Sequence, residues 1–154
     1  MTIRFIALET DLVQGWRDGR PDANGQSPER GITLADGYPC RHCLRLIAKG
    51  DAYLTLGHRP FPALQPYAEV GPIFVHAACA RGGDDARIPH FLDSPRYMIR
   101  GYGADDRIVY GTGQIVPTPE IPAAAERLFE YTDVRYVHVR SASNNCYHCR
   151  IERA

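Results

Sequence analysis

The residues of this chain best suited to chemistry are its five cysteines, four of which fall into two copies of one spacing. The copies are "CRHC" at Cys40 to Cys43 and "CYHC" at Cys146 to Cys149. A C-x-x-C turn can place two thiolates on one metal ion, and a tetrahedral zinc site then needs a second half-site of similar spacing. "FVHAACA" offers one, with His76 and Cys79 three positions apart after an apolar run that reads as a strand. A helix starting there would project both side chains from one face. Cys40, Cys43, His76 and Cys79 are therefore the expected ligands of a structural zinc ion. An all-cysteine site joining both tetrapeptides is the competing metal reading, with His76 an ordinary packed histidine. The bland alternative is that some of these thiols are simply buried, as free cysteine often is. Redox chemistry at "PCRHC" is disfavoured, because "AKGDAY" ends any following helix early and the βαβ context of such sites is missing.

The second tetrapeptide lies in "CYHCRIER", which reads as a strand, so alternation sends Cys146 and Cys149 to opposite faces. A hairpin closed between Arg140 and Cys146 would set His138 opposite His148 and Tyr136 opposite Arg150. Val137, Val139, Tyr147, Cys149 and Ile151 would then share the core-facing side. The pair His138 and His148 is a candidate second metal or proton-transfer site, against an ordinary exposed face. Arg140 adjoins it. Between the zinc half-sites, "GHRPFPALQPYAEVGP" carries His58, Arg59, Tyr67 and Glu69 on a proline-stiffened loop, where ligand-binding groups are often found. Packed aromatics and solvated charges account for the same residues equally well.

Several elements must position these groups. "TIRFIALE" reads as a strand covered on both faces, and Thr10 as the cap of a short helix with Leu12, Val13 and Trp16 on one side. Glycines and prolines between Asp18 and Pro39 predict a long surface loop. "LRLIAKGDAYLTL" predicts a hairpin turning at Lys49, Gly50 and Asp51. Later, "RYMIRGY" and "RIVYGTGQIV" read as strands, and Thr118 as the cap of a helix striped by Ile121, Ala125, Leu128 and Phe129. "VRYVHVR" and "CYHCRIER" complete a ββαββ order over residues 95–154. The expected fold is α+β, a single domain over 1–154 with a mainly antiparallel sheet, two helices and a zinc module at 36–83.

The order knuckle, hairpin, long loop and ligand-bearing helix resembles a treble-clef zinc finger. "CRHCLRLIAKGDAYL" followed by "FVHAAC" is similar to PARP-type fingers and to the first half of a LIM domain. From "YPCRHC" to "CYHCRIERA" the chain also resembles a bacterial family, Domain of Unknown Function family number twelve-hundred-and-three. "PYAEVGPIFVHAAC" and "YVHVRSASNNCYHCRIER" carry that resemblance most specifically. It implies no activity, but directs attention to Glu69, His76, His138 and Arg140.

Composition limits the function classes. Of 154 residues, 44% are hydrophobic and 23% charged, which suits a folded soluble protein. With 18 basic and 18 acidic residues the net charge is zero, so no global field attracts nucleic acid or an anionic membrane. Asp36 to Gly83 holds five basic and three acidic residues, far from a basic stripe, although PARP-type analogy keeps a nucleic-acid-binding finger as one reading. "MTIRFIALETD" lacks a signal-peptide pattern and no apolar run spans a membrane, so a cytoplasmic location is expected. The leading expectation is a zinc-stabilised binding or interaction module for a small-molecule or protein partner. A small enzyme using Glu69, His58 or His138 as acid or base is the alternative, without support from any nucleophile elbow, phosphate loop or cofactor fingerprint.

Overall fold

The computed structural model describes residues 2–154, an α+β arrangement of antiparallel sheets with two α-helices. Strand β1 (Ile3–Ile6) buries Ile3 and Phe5, and helix α1 (Thr10–Arg17) buries Val13 and Trp16. Leu12 stays exposed, so the apolar side of α1 is narrower than its sequence suggests. Thr10 is not the cap. Glu9 holds that position without a side-chain bond, and the Thr10 hydroxyl lies 3.0 Å from His42 Nε2.

The stretch from Asp18 to Pro39 is more regular than a surface loop. It contains β2 (Glu29–Ile32) and β3 (Tyr38–Pro39), and the Asp22 carboxylate accepts backbone N–H bonds from Asn24, Gln26 and Gly57. The expected hairpin across Lys49 to Asp51 does not form one ladder. Its arms are β4 (Leu46–Ile47), which pairs with β3 around the first cysteine pair, and β5 (Ala52–His58). In a three-stranded antiparallel sheet β5 lies between β2 and β6 (Gly71–His76). Leu54, Leu56, Ile73 and Val75 of that sheet pack with Val13, Trp16 and Cys40 into one core.

The second core belongs to a six-stranded sheet. It is built from β1, β7 (Gly83–Asp85), β8 (Arg96–Tyr102), β9 (Gln114–Pro117), β10 (Tyr136–Ser141) and β11 (Tyr147–Arg153). Their order is β7-β1-β11-β10-β8-β9, antiparallel throughout. The strand expected in "RIVYGTGQIV" starts only at Gln114, because Ile108 makes a single bridge to Tyr102 and the Thr112 hydroxyl bonds the Val109 carbonyl. Thr118 does not cap the next helix either. Its hydroxyl donates to the Ser94 carbonyl, and a 3-10 turn at Thr118–Glu120 leads into α2 (Ile121–Leu128). Ile121, Ala125, Leu128 and Phe129 cover one face of the large sheet, packing on Ile99, Val137, Val139, Cys149 and Ile151.

The β10–β11 register differs from the simple hairpin. Val139 faces Cys149, but Arg140 faces Tyr147, so His148 is an extra residue in a bulge. His138 consequently faces Arg150, not His148. The shift also moves Tyr147 off the core side and onto the face of His138, where the two rings stand 4.9 Å apart. No helix among the described residues is long and apolar enough to cross a membrane.

Candidate metal centre and adjoining clefts

Cys40 follows β3 directly, and the turn that returns to β4 carries Cys43. Cys40 N–H donates to the Arg45 carbonyl at 2.9 Å and Leu44 N–H to the Cys40 carbonyl at 3.0 Å, which closes the knuckle. Leu44 adopts φ 58°, a left-handed conformation that a glycine takes more easily. Its buried side chain is packed into the core of the large sheet, which compensates for that conformation. His76 is the last residue of β6, and Cys79 follows after a bend. No helix begins there. A strand end and a bend, in place of two turns of one helix face, present this half-site. A bridge between Cys40 and Phe74 and a 3.2 Å bond from His76 N–H to Cys40 Sγ hold the half-sites together.

One donor atom from each of Cys40, Cys43, His76 and Cys79 lies within 4.8 Å of all the others. Bond lengths of about 2.3 Å to sulfur and 2.0 Å to nitrogen require tetrahedral edges of about 3.5–3.8 Å. Cys40 Sγ and Cys79 Sγ are 3.9 Å apart, and Cys43 Sγ and His76 Nδ1 are 3.4 Å apart. The cluster fits a zinc ion. His76 Nε2 faces the Asp51 carboxylate at 3.7 Å, which leaves Nδ1, on the side of Cys43 Sγ, for a metal.

The same crowding governs the thiols. Hydrogen bonds from Cys43 and Cys79 hold the Cys40 thiol well below its ordinary pKa, and bonding to Cys40 pushes Cys43 up and Cys79 up to about 11. Three sulfurs this close cannot all ionise without a cation among them. Three thiolates with a divalent ion leave one net negative charge. Arg17 meets it: its Nη2 lies 3.2 Å from Cys79 Sγ, and its Nε donates to the His76 carbonyl at 3.2 Å. His42 Nδ1 stands 3.1 Å from the same sulfur, with Thr10 steadying the far side of the ring. The sequence reading missed Arg17, His42, Thr10 and Asp51. Only His42 carried a signal, since it lies inside "CRHC"; the others come from distant segments.

The remaining predicted residues, His148 apart, divide among three places. His58, Glu69 and Arg140 line a cleft of about 220 Å³ together with Cys146 and Tyr147. His58, Arg59 and His138 line a neighbouring cleft of about 460 Å³ with Phe61 and Tyr147. Glu69 pairs with arginines of two neighbouring strands, lying 2.5 Å from Arg140 of β10 and 3.6 Å from Arg100 of β8. Burial and the nearby Arg41 and Arg59 lower the His58 pKa to about 4; burial and Arg140, Arg150 and Arg100 hold that of His138 well below its ordinary value. Tyr67 stands apart, its hydroxyl 3.0 Å from Tyr110 near the surface.

The pairing of His138 with His148 does not exist. The bulge sends His148 to the α2 side, against Phe91 and Tyr97, while His138 packs among Phe61, Tyr102 and Tyr147 on the other. Cys149 is fully buried in the large core, and burial pushes its thiol far up, so it behaves as a small apolar residue.

No curated protein and no solved structure matches the chain. A family model described as "Protein of unknown function (DUF1203)" matches residues 37–153, which contain all four clustered metal-ligand candidates and both clefts' histidines. On that match the chain belongs to the DUF1203 family.

Proposed function

We propose that this protein is a binding domain braced by structural zinc, with its working surface in the two clefts under the Pro-rich segment. The four-donor cluster with tetrahedral edges carries this reading. Zinc held by three thiolates and one imidazole has no open position, so the ion contributes folding free energy and no reaction step. This chain's own residues set the metal's environment: Arg17 offsets the surplus thiolate charge, and the Asp51 carboxylate faces the imidazole of His76. The ligands also frame β5 and β6, the strands that enter and leave the segment carrying His58, Arg59 and Glu69. Buried polar groups in the clefts favour a small-molecule partner over nucleic acid.

Metal content after purification without added metal tests the brace. The wild type and Cys146→Ser are expected to hold one equivalent of zinc, and Cys43→Ser none. Wild-type protein without zinc, or loss from Cys146→Ser, would overturn the assignment.

A further inference from the structure

The face of the large sheet turned away from α2 buries more positive charge than its carboxylates neutralise. Arg140 and Arg100 share Glu69, and Arg150 is held by Glu152 at 2.7 Å. Arg41 and Arg59 join no ion pair among the described residues. Arg41 is buried and donates only to the Tyr147 and Pro39 carbonyls, and Arg59 Nε donates to the Phe61 carbonyl. Charge held away from water without a counter-ion is costly; Arg41 lines neither cleft, but half-buried Arg59 lines the larger one, where an anion would offset its charge.

The buried nitrogens that lack any hydrogen-bond partner include His58 Nε2, His138 Nε2 and Arg140 Nε. The tautomer of His138 follows from its neighbour. Arg140 Nη2 lies 3.1 Å from His138 Nδ1, and a guanidinium can only donate, so Nδ1 accepts and the neutral ring carries its hydrogen on Nε2. Fully buried and without an acceptor, that N–H calls for an oxygen from outside the chain. His138 lines the larger cleft, and so do His58 and Arg59. Glu9 and Glu152 line it too, but Arg81 holds the first at 3.1 Å and Arg150 the second. Leu12, Phe61, Pro62 and Tyr147 line it as well, with Phe61 and Tyr147 packed beside His138, which supplies apolar surface for an apolar body.

We propose that the larger cleft binds a small monocarboxylate with a flat apolar body, its oxygens accepting from His138 Nε2–H and facing Arg59, its body against Phe61 and Tyr147. This assignment rests on reading the clefts as the working surface, but not on the identity of the metal. Benzoate is the probe, with benzyl alcohol as the same body without charge and inorganic phosphate as charge without the body. Each is titrated into protein whose zinc content is measured in the same sample, following histidine and tyrosine side-chain resonances and binding heat. Benzoate is expected to saturate, to move His138 and Tyr147, and to bind at least about tenfold tighter than either comparison probe. His138→Phe keeps a ring in the packing but removes the donor, and is expected to weaken benzoate about tenfold or more while retaining zinc. Arg59→Gln, on the rim, provides the same test by about threefold or more should the buried variant not fold. Benzoate binding no tighter than benzyl alcohol or phosphate, or unchanged in a folded variant, would overturn the proposal. Zinc-loaded protein that ignores benzoate sinks this assignment alone; zinc-free protein that binds it sinks the zinc brace alone.

Discussion

His148 sits against Phe91 and Tyr97 with its Nδ1–H donating to the Cys146 carbonyl at 3.0 Å. Burial, then Arg41, lower its pKa from 6.5 to about 3. The folded ring is therefore neutral at pH values where the unfolded one takes a proton. Its contribution to stability is complete above pH 6.5 and is lost progressively as pH falls towards 3, with a slope of about 1.4 kcal/mol per pH unit. Urea unfolding of the wild type and of His148→Phe at neutral and mildly acid pH checks this. The variant is expected to lose stability less steeply, by close to one proton's worth; parallel slopes would contradict the assignment. At this scale the sequence was informative where ligands recur at fixed spacing, as in "CRHC" and "HAAC". It was uninformative for Arg17 and Asp51, whose approach to Cys79 and His76 depends on tertiary packing of separate elements.

Elements were read best where periodicity was clean. The stripe on α2 and the alternation of β8 are both visible in the sequence, because burial on one face selects apolar residues at the element's own period. The bulge at His148 was not legible. One extra residue reverses the faces of Tyr147 and His148, and neither polarity nor size marks it, since both side chains are buried whichever way they point. Side-chain bonds likewise displaced the expected caps: Thr10 turns to His42 and Thr118 to Ser94. A further element-scale constraint lies beside the knuckle. Gly82 donates its N–H to the His42 carbonyl at 2.9 Å, and a Cβ there would overlap the Cys43 carbonyl. Gly82→Ala is expected to destabilise the protein by about 1–3 kcal/mol and to weaken metal retention. Gly71→Ala, where a Cβ meets nothing within 4 Å, is expected to stay within about 0.5 kcal/mol of wild type. Thermal melts and competition with a chelator distinguish the two; equal behaviour would contradict the packing described.

At the scale of the whole molecule, the Cys–His cluster lies at the seam between two cores. Cys40 packs with the small sheet and α1, whereas Leu44, four residues on, packs with the large sheet and α2. Arg41 extends the same seam, its Nε reaching the Tyr147 carbonyl of β11 at 2.8 Å. The large sheet has its own core and does not depend on the ion for burial. The small sheet has fewer buried residues of its own, and its strand β6 ends at the cluster while β5 starts beside it. On the proposed zinc brace, the ion stabilises the two halves unequally, because metal binding adds to the stability of what the ligands connect. Amide hydrogen exchange of the zinc-loaded and chelated protein tests this most directly. The account predicts that chelation removes protection from Tyr38–Pro39, Leu46–Ile47, Ala52–His58 and Gly71–His76 while Arg96–Tyr102 and Tyr136–Ser141 remain protected. Unchanged protection in the small sheet after complete metal removal would contradict it.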